Sequence, residues 1–143
     1  MKILVINGPN INMLGVREPK IYGNKTHKDL VRFIREQAKR LGVSAKVLQS
    51  NHEGEIVSFI QNALNKFNGI IINAGAYTHT SIAILDALKA VNIKTCEVHL
   101  SDIENREDFR KFSFVSLFAE KAFKGFGFDS YKLALEYFAG QTT

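Results

Sequence analysis

Asn7 and Asn10 follow a short apolar run, and Arg17 and Tyr22 lie on the long segment after it. Asn73, Thr78 and His79 follow a second apolar run, and His99, Ser101, Arg106 and Arg110 follow a third. Amides, imidazoles, a phenol and guanidiniums thus recur where chain segments end, with few carboxylates among them. A guanidinium offers a rigid fork of donors to an anion, and an imidazole exchanges protons near neutral pH. The set therefore points to an anionic small-molecule substrate and to proton transfer. Metal chemistry is disfavoured, because the four histidines form no close pair and the single Cys96 has no CxxC partner. Gly8-Pro9-Asn10-Ile11-Asn12 fits neither GxGxxG nor GxxxxGK[ST] and holds no hydroxyl for a flavin phosphate. A receiver domain would want an acid where Asn73 stands, so the reading is of a site without metal or cofactor.

Such residues need a rigid frame. Lys2 to Ile6 reads as a buried strand stopped by Asn7-Gly8-Pro9-Asn10, and His27 to Leu41 as a helix with Leu30, Phe33, Ile34 and Leu41 on one face, closed by Gly42. Ser44 to Gln49 gives a second strand. Ser50 to Glu53 has the capping-box pattern ahead of a helix carrying Ile56, Phe59, Ile60, Ala63, Leu64 and Phe67. Gly69 to Asn73, Ile93 to Leu100 and Phe112 to Leu117 read as further strands, with helices over Ser81 to Val91 and Asp129 to Ala139. Strands that are apolar without strict alternation, interleaved with helices, predict an α/β fold: a doubly wound five-stranded parallel sheet covered on both faces. The ligand crevice of such a fold lies beyond the carboxyl ends of its strands, where the strand order switches direction. The segment 8–26 carries no periodic pattern and is long for a compact domain, so it reads as a lid or binding loop.

At 143 residues with 45% hydrophobic and 23% charged positions, the chain reads as one catalytic domain over 1–143. No apolar run reaches the roughly 18 residues of a membrane helix, no signal-peptide pattern is visible, and one cysteine cannot form an internal disulfide. A cytoplasmic location without membrane association is expected. The charge balance of 19 basic minus 14 acidic residues gives +5. Its basic residues are scattered without an RNA-binding aromatic signature, so no nucleic-acid partner is expected. Two other classes compete: a flavodoxin-like binding or electron-transfer module, and a basic RNA-binding protein whose association would be strongly salt-dependent.

Asn7-Gly8-Pro9-Asn10, Leu14-Gly15, Arg17-Glu18-Pro19 with Tyr22-Gly23, the run from Asn73 to Ser81, and Glu97-Val98-His99-Leu100-Ser101 with Arg106 and Arg110 resemble the type II 3-dehydroquinate dehydratases. The match runs nearly end to end and its motifs keep order and spacing. Leu85, where many members have Arg, is a small departure in a helix. The resemblance implies a flavodoxin-like fold and reversible dehydration of 3-dehydroquinate to 3-dehydroshikimate in the shikimate (chorismate and aromatic amino acid) pathway or in quinate use, with neither metal nor Schiff base. It also implies a dodecamer of four trimers.

By similarity, Tyr22 is the base that removes the proton alpha to the ketone. A phenol of reference pKa about 10 needs a shift of roughly 3 units, about 4 kcal/mol, to ionise near neutral pH. A guanidinium at about 4 Å supplies about 4 kcal/mol at an effective dielectric of about 20, and Arg17 is the family's candidate. Asn10 and Asn73 resemble the pair that holds a water against the developing enolate. His99 matches the acid that protonates the departing hydroxyl, while His79, Arg110, Leu100 and Ser101 match substrate-binding positions. Asp86 matches an acid that reaches a neighbouring subunit's site, and Glu97 shares a strand face with His99 and could orient it. Each residue also has a plainer reading. Tyr22 could anchor a turn and Arg17 be a solvated charge. Asn7 and Asn10 could serve turn chemistry, His99 could be a core histidine, His79 a helix-start residue after a Thr78 cap, Arg110 a helix-surface charge, and Glu97 a cross-strand surface group. The resemblance further implies that the loop from about Asn12 to Gly23 closes over substrate. Cys96 reads as a small buried apolar group.

Overall fold

The computed structural model describes residues 1–16, 20 and 23–140. Five parallel strands, β1 (Lys2–Asn7), β2 (Ser44–Gln49), β3 (Gly69–Asn73), β4 (Lys94–His99) and β5 (Lys121–Lys124), form one sheet in the order β2-β1-β3-β4-β5. Helices α1 (His27–Leu41), α2 (Glu53–Asn62), α3 (Ile82–Val91) and α4 (Asp129–Phe138) complete the doubly wound, flavodoxin-like α/β architecture.

The continuous apolar runs of β1 and β3 are explained by burial on both faces. Ile3, Val5 and Ile71 point to one side, where Leu30 and Ile34 of α1 and Tyr131 and Leu135 of α4 cover them. Leu4, Ile6, Ile70 and Ile72 point to the other, against Ile56 and Ile60 of α2 and Ile84 and Leu88 of α3. Cys96 belongs to the first core, and burial pushes its thiol up to about 12, which suits the apolar role expected of it. No helix among the described residues is long and apolar enough to cross a membrane.

Helix ends follow local chemistry. Thr26 and Asp29 form a reciprocal capping box on α1, and Gly42 closes that helix at φ 73°, a left-handed conformation that glycine adopts without a Cβ clash. The capping box expected from Ser50 to Glu53 does not form. Ser50 is tied to the sheet by its N–H bond to the Asn7 carbonyl, its hydroxyl accepts from the His52 N–H, and His52 takes the N-cap position without a side-chain bond.

The fifth strand is a correction. Phe112 to Leu117 is not a strand; it contains a short 3-10 turn, Val115–Leu117, and the strand lies at Lys121–Lys124. Its two flanking lysines and short apolar centre are what an edge position tolerates, and they disguise it as a polar linker.

At the carboxyl end of the sheet, Asn7 stands in register with Gln49 on one side and Asn73 on the other. The chain leaves β1 toward β2 and returns through β3, so the switch point lies between β1 and β3. Here the backbones come close: the Gly8 N–H donates to the Asn73 carbonyl at 2.7 Å, and a Cβ on Gly8 would stand 2.5 Å from the Ala74 oxygen. Only glycine lets the two exits cross at this distance.

Candidate active site

A small cleft opens at that switch point, where ligands bind in open α/β sheets. Asn10 enters from the loop after β1, Asn73 from the end of β3, His79 from the 3-10 turn Gly75–His79, and His99, Leu100 and Ser101 from the end of β4. Arg106 and Arg110 close the far wall from the segment after β4. Residues that are far apart in the chain meet because parallel strands deliver every carboxyl end to one edge.

Several of these residues are held by their surroundings. Asn10 sits at φ 69°, a left-handed conformation that asparagine tolerates better than most, and its N–H donates to Asn51 Oδ1 at 3.0 Å. Gln49 Nε2 braces the same loop by donating to the Gly8 carbonyl at 3.2 Å and to Asn51 Oδ1 at 3.1 Å. Asn73 donates from Nδ2 to the Tyr131 hydroxyl at 2.9 Å and accepts the Gly75 N–H on Oδ1 at 3.2 Å. One of its two amide N–H bonds is thereby committed. Tyr131 in turn donates to Asn7 Oδ1 at 2.6 Å, so the plainer reading of Asn7 as turn chemistry gives way to a buried structural bond. Burial pushes the Tyr131 phenol well above its usual range, beyond what the Asn73 bond offsets, so it acts as a neutral donor and acceptor.

His79 hydrogen-bonds through Nδ1 to the Phe112 carbonyl at 2.7 Å. A carbonyl only accepts, so Nδ1 carries a proton and Nε2 is left for the cleft. The reading of His79 as a residue following a Thr78 helix cap is corrected: Ser81 caps α3, its hydroxyl accepting from the Ile84 N–H. Thr78 is buried instead against Ser113 and Glu97. Arg110 lies in another 3-10 turn, Asp108–Arg110, its Nε 2.6 Å from Glu107 and its guanidinium carbon 5.4 Å from the Phe109 ring centre.

His99 and Glu97 form the centre of the site. Both are buried, and His99 Nε2 contacts Glu97 Oε2, which leaves His99 Nδ1 for a ligand. Glu97 is therefore no cross-strand surface group. Burial alone would raise its carboxyl, yet the bond and charge of His99 together with the Ser113 and Ser116 hydroxyls hold it down at about 2. A carboxyl held below its unfolded value near 4.5 contributes stability that is fully present above that value and is lost as pH falls through the folded value. A depression of that size corresponds to about 3 kcal/mol. Urea unfolding followed from pH 5 down to pH 2 is expected to show this loss, and Glu97→Gln should flatten the decline. An equally steep decline in the variant would assign it to other carboxylates.

Several residues lie elsewhere. Asp86 is on the exposed side of α3 and is not among the residues lining the cleft. Arg17 and Tyr22 lie outside the described residues, as does most of the segment between them. Among the described residues no group of three or more His, Cys, Asp or Glu side chains is close enough to hold a metal ion. Tyr131, Ser113 and Ser116 were not legible as site residues. Tyr131 is hidden in the apolar face of α4, and the serines lie in the stretch that reads as a strand.

Fold and cleft together define a doubly wound α/β domain built around a polar, basic small-molecule site at the switch point of its sheet. The family described as Dehydroquinase class II matches residues 1–139. A 3-dehydroquinate dehydratase of Clostridium acetobutylicum is 53% identical over 135 residues, 94% of each chain. One from Prochlorococcus marinus is 53% identical over 140 residues, covering 98% of this chain and 95% of its own. The crystal structure of a type II dehydroquinase from Butyrivibrio crossotus superposes with a TM-score of 0.94 at 47% identity, covering 96% of both chains. The chain belongs to the class II dehydroquinase family, and it is a type II 3-dehydroquinate dehydratase, a lyase of the shikimate pathway.

Proposed function

We propose that the cleft catalyses the reversible dehydration of 3-dehydroquinate to 3-dehydroshikimate through an enolate, with Tyr22 as base and His99 as general acid, and without metal or cofactor. The observation that carries this reading is the buried His99–Glu97 contact: it uses Nε2 and leaves Nδ1 at the mouth of a basic cleft, where an acid for a leaving hydroxyl belongs. Arg17 lowers the proton affinity of Tyr22, and the loop of about residues 12–23 brings both onto the substrate when it closes. Asn10 and Asn73 hold a water against the enolate oxygen. His79 and Arg110 bind the substrate, and Leu100 and Ser101 hold its carboxylate through backbone and hydroxyl donors. Asp86, remote from its own chain's cleft, serves a neighbouring subunit in a homododecamer built as a tetramer of trimers. The enzyme works in the cytoplasm as a single domain.

The test is formation of the conjugated enone from 3-dehydroquinate, followed by ultraviolet absorbance with and without a strong chelator. Full activity in chelator is the expected result. Loss of activity that added divalent metal restores would overturn the metal-free mechanism, and absence of enone would overturn the assignment of substrate.

A further inference from the structure

We infer that Ser113 and Ser116 are positioning residues that govern how readily His99 gives up its proton, acting through Glu97. This rests on the reading of His99 as the general acid. Ser113 Oγ donates to Glu97 Oε2 at 2.6 Å, the same oxygen that His99 contacts, and Ser116 Oγ donates to Oε1. Thr78 Oγ1 stands 2.5 Å from Ser113 Oγ and 3.2 Å from Glu97 Oε2. With one proton on each hydroxyl, the consistent arrangement is Thr78 to Ser113 to Glu97 on one carboxylate oxygen and Ser116 on the other. Both oxygens of the buried carboxylate therefore receive a hydroxyl donor, one from buried Ser113 and one from Ser116 at the surface.

The chemistry requires something of this kind. A buried carboxylate whose only partner was His99 would either take the imidazole proton itself or hold the imidazolium so firmly that it became a poor acid. Hydroxyl dipoles aimed at the carboxylate stabilise its charge and weaken its pull on the proton, and such charge-assisted bonds are among the stronger ones. Among the described residues, the other charged or titratable groups facing His99 are Arg106 and Arg110 across the cleft, His79 from the turn after β3, and Lys124 in register on β5, itself paired with Glu104 at 3.2 Å. None of these is altered by removing a serine hydroxyl. The two serines also differ in a useful way: Ser113 accepts the Ser116 N–H at 3.3 Å and so helps shape its turn, whereas Ser116 Oγ is directed at Glu97.

Ser116→Ala is the primary test, with Ser113→Ala beside it and Ser116→Thr as the variant that restores a hydroxyl. In Ser116→Ala, the alkaline limb of the kcat profile is expected to move up by roughly half to one pH unit, because Glu97 then holds the His99 proton more tightly. Plateau kcat should fall about 3- to 10-fold with KM changed less than about 2-fold, and Ser116→Thr should recover most of the loss. An NMR titration of the His99 imidazole in the ligand-free protein should show the same upward displacement. An unmoved pH profile and imidazole titration, with only thermal stability reduced, would show that the serines merely pack the turn. The imidazole titration does not depend on catalysis, so it reports the coupling even if His99→Ala retains full turnover and the acid assignment fails.

Discussion

Tyr22→Phe is expected to lower turnover of 3-dehydroquinate by about 10²- to 10⁴-fold, the usual worth of a positioned base. The substitution removes one oxygen and keeps the ring, so substrate affinity should change far less than kcat. The physical basis is the proton alpha to the ketone, which is too weakly acidic to leave without a base. A phenol can serve only when a cation such as Arg17 makes its ionisation accessible near neutral pH. The measurement is steady-state formation of the enone. Near-normal kcat in the variant would reject Tyr22 as the base and shift attention to His79, whose Nδ1 is bound to the Phe112 carbonyl and whose ring lines the cleft.

His99→Ala is the second large effect. Turnover should again fall by about 10²- to 10⁴-fold, because the departing hydroxyl then leaves without a proton. KM should rise only modestly, because Arg106, Arg110, Ser101, Asn10 and Asn73 still line the cleft. Glu97 keeps its two serine donors in this variant, so the buried carboxylate retains partners and the fold is expected to survive, as circular dichroism and a thermal melt would establish. A variant that binds substrate poorly yet turns over normally at saturation would make His99 a binding residue and not the acid.

Much of the scaffold was legible from residue order. The helix over His27–Leu41 is marked by a 3.6-residue apolar period and a closing glycine, and β1 and β3 by unbroken aliphatic runs that only a strand buried on both faces requires. Phe112 to Leu117 shows where local pattern failed. Its aromatic and β-branched residues favour extended chain, but Ser113 and Ser116 bond to Glu97, Phe112 gives its carbonyl to His79, and the Phe114 N–H donates to the Thr78 carbonyl at 2.7 Å. Tertiary bonds outweighed a weak β preference. The true β5 carries too little apolar signal to be recognised, because an edge strand buries little.

The residue types at the strand ends, and the family motif they compose, determined from the sequence alone a parallel α/β sheet of the class II dehydroquinase family with polar residues gathered beyond its carboxyl edge. Those features reside in local periodicity and in the chemistry of single side chains, which need no knowledge of distant partners. Only the folded chain determined that Glu97 is sealed against His99 beneath two serines, that Tyr131 ties Asn7 to Asn73, and that His79 presents Nε2 to the cleft. Protonation, tautomer and orientation depend on which groups lie within hydrogen-bond distance once water is excluded, and that is settled by packing between segments far apart in the chain.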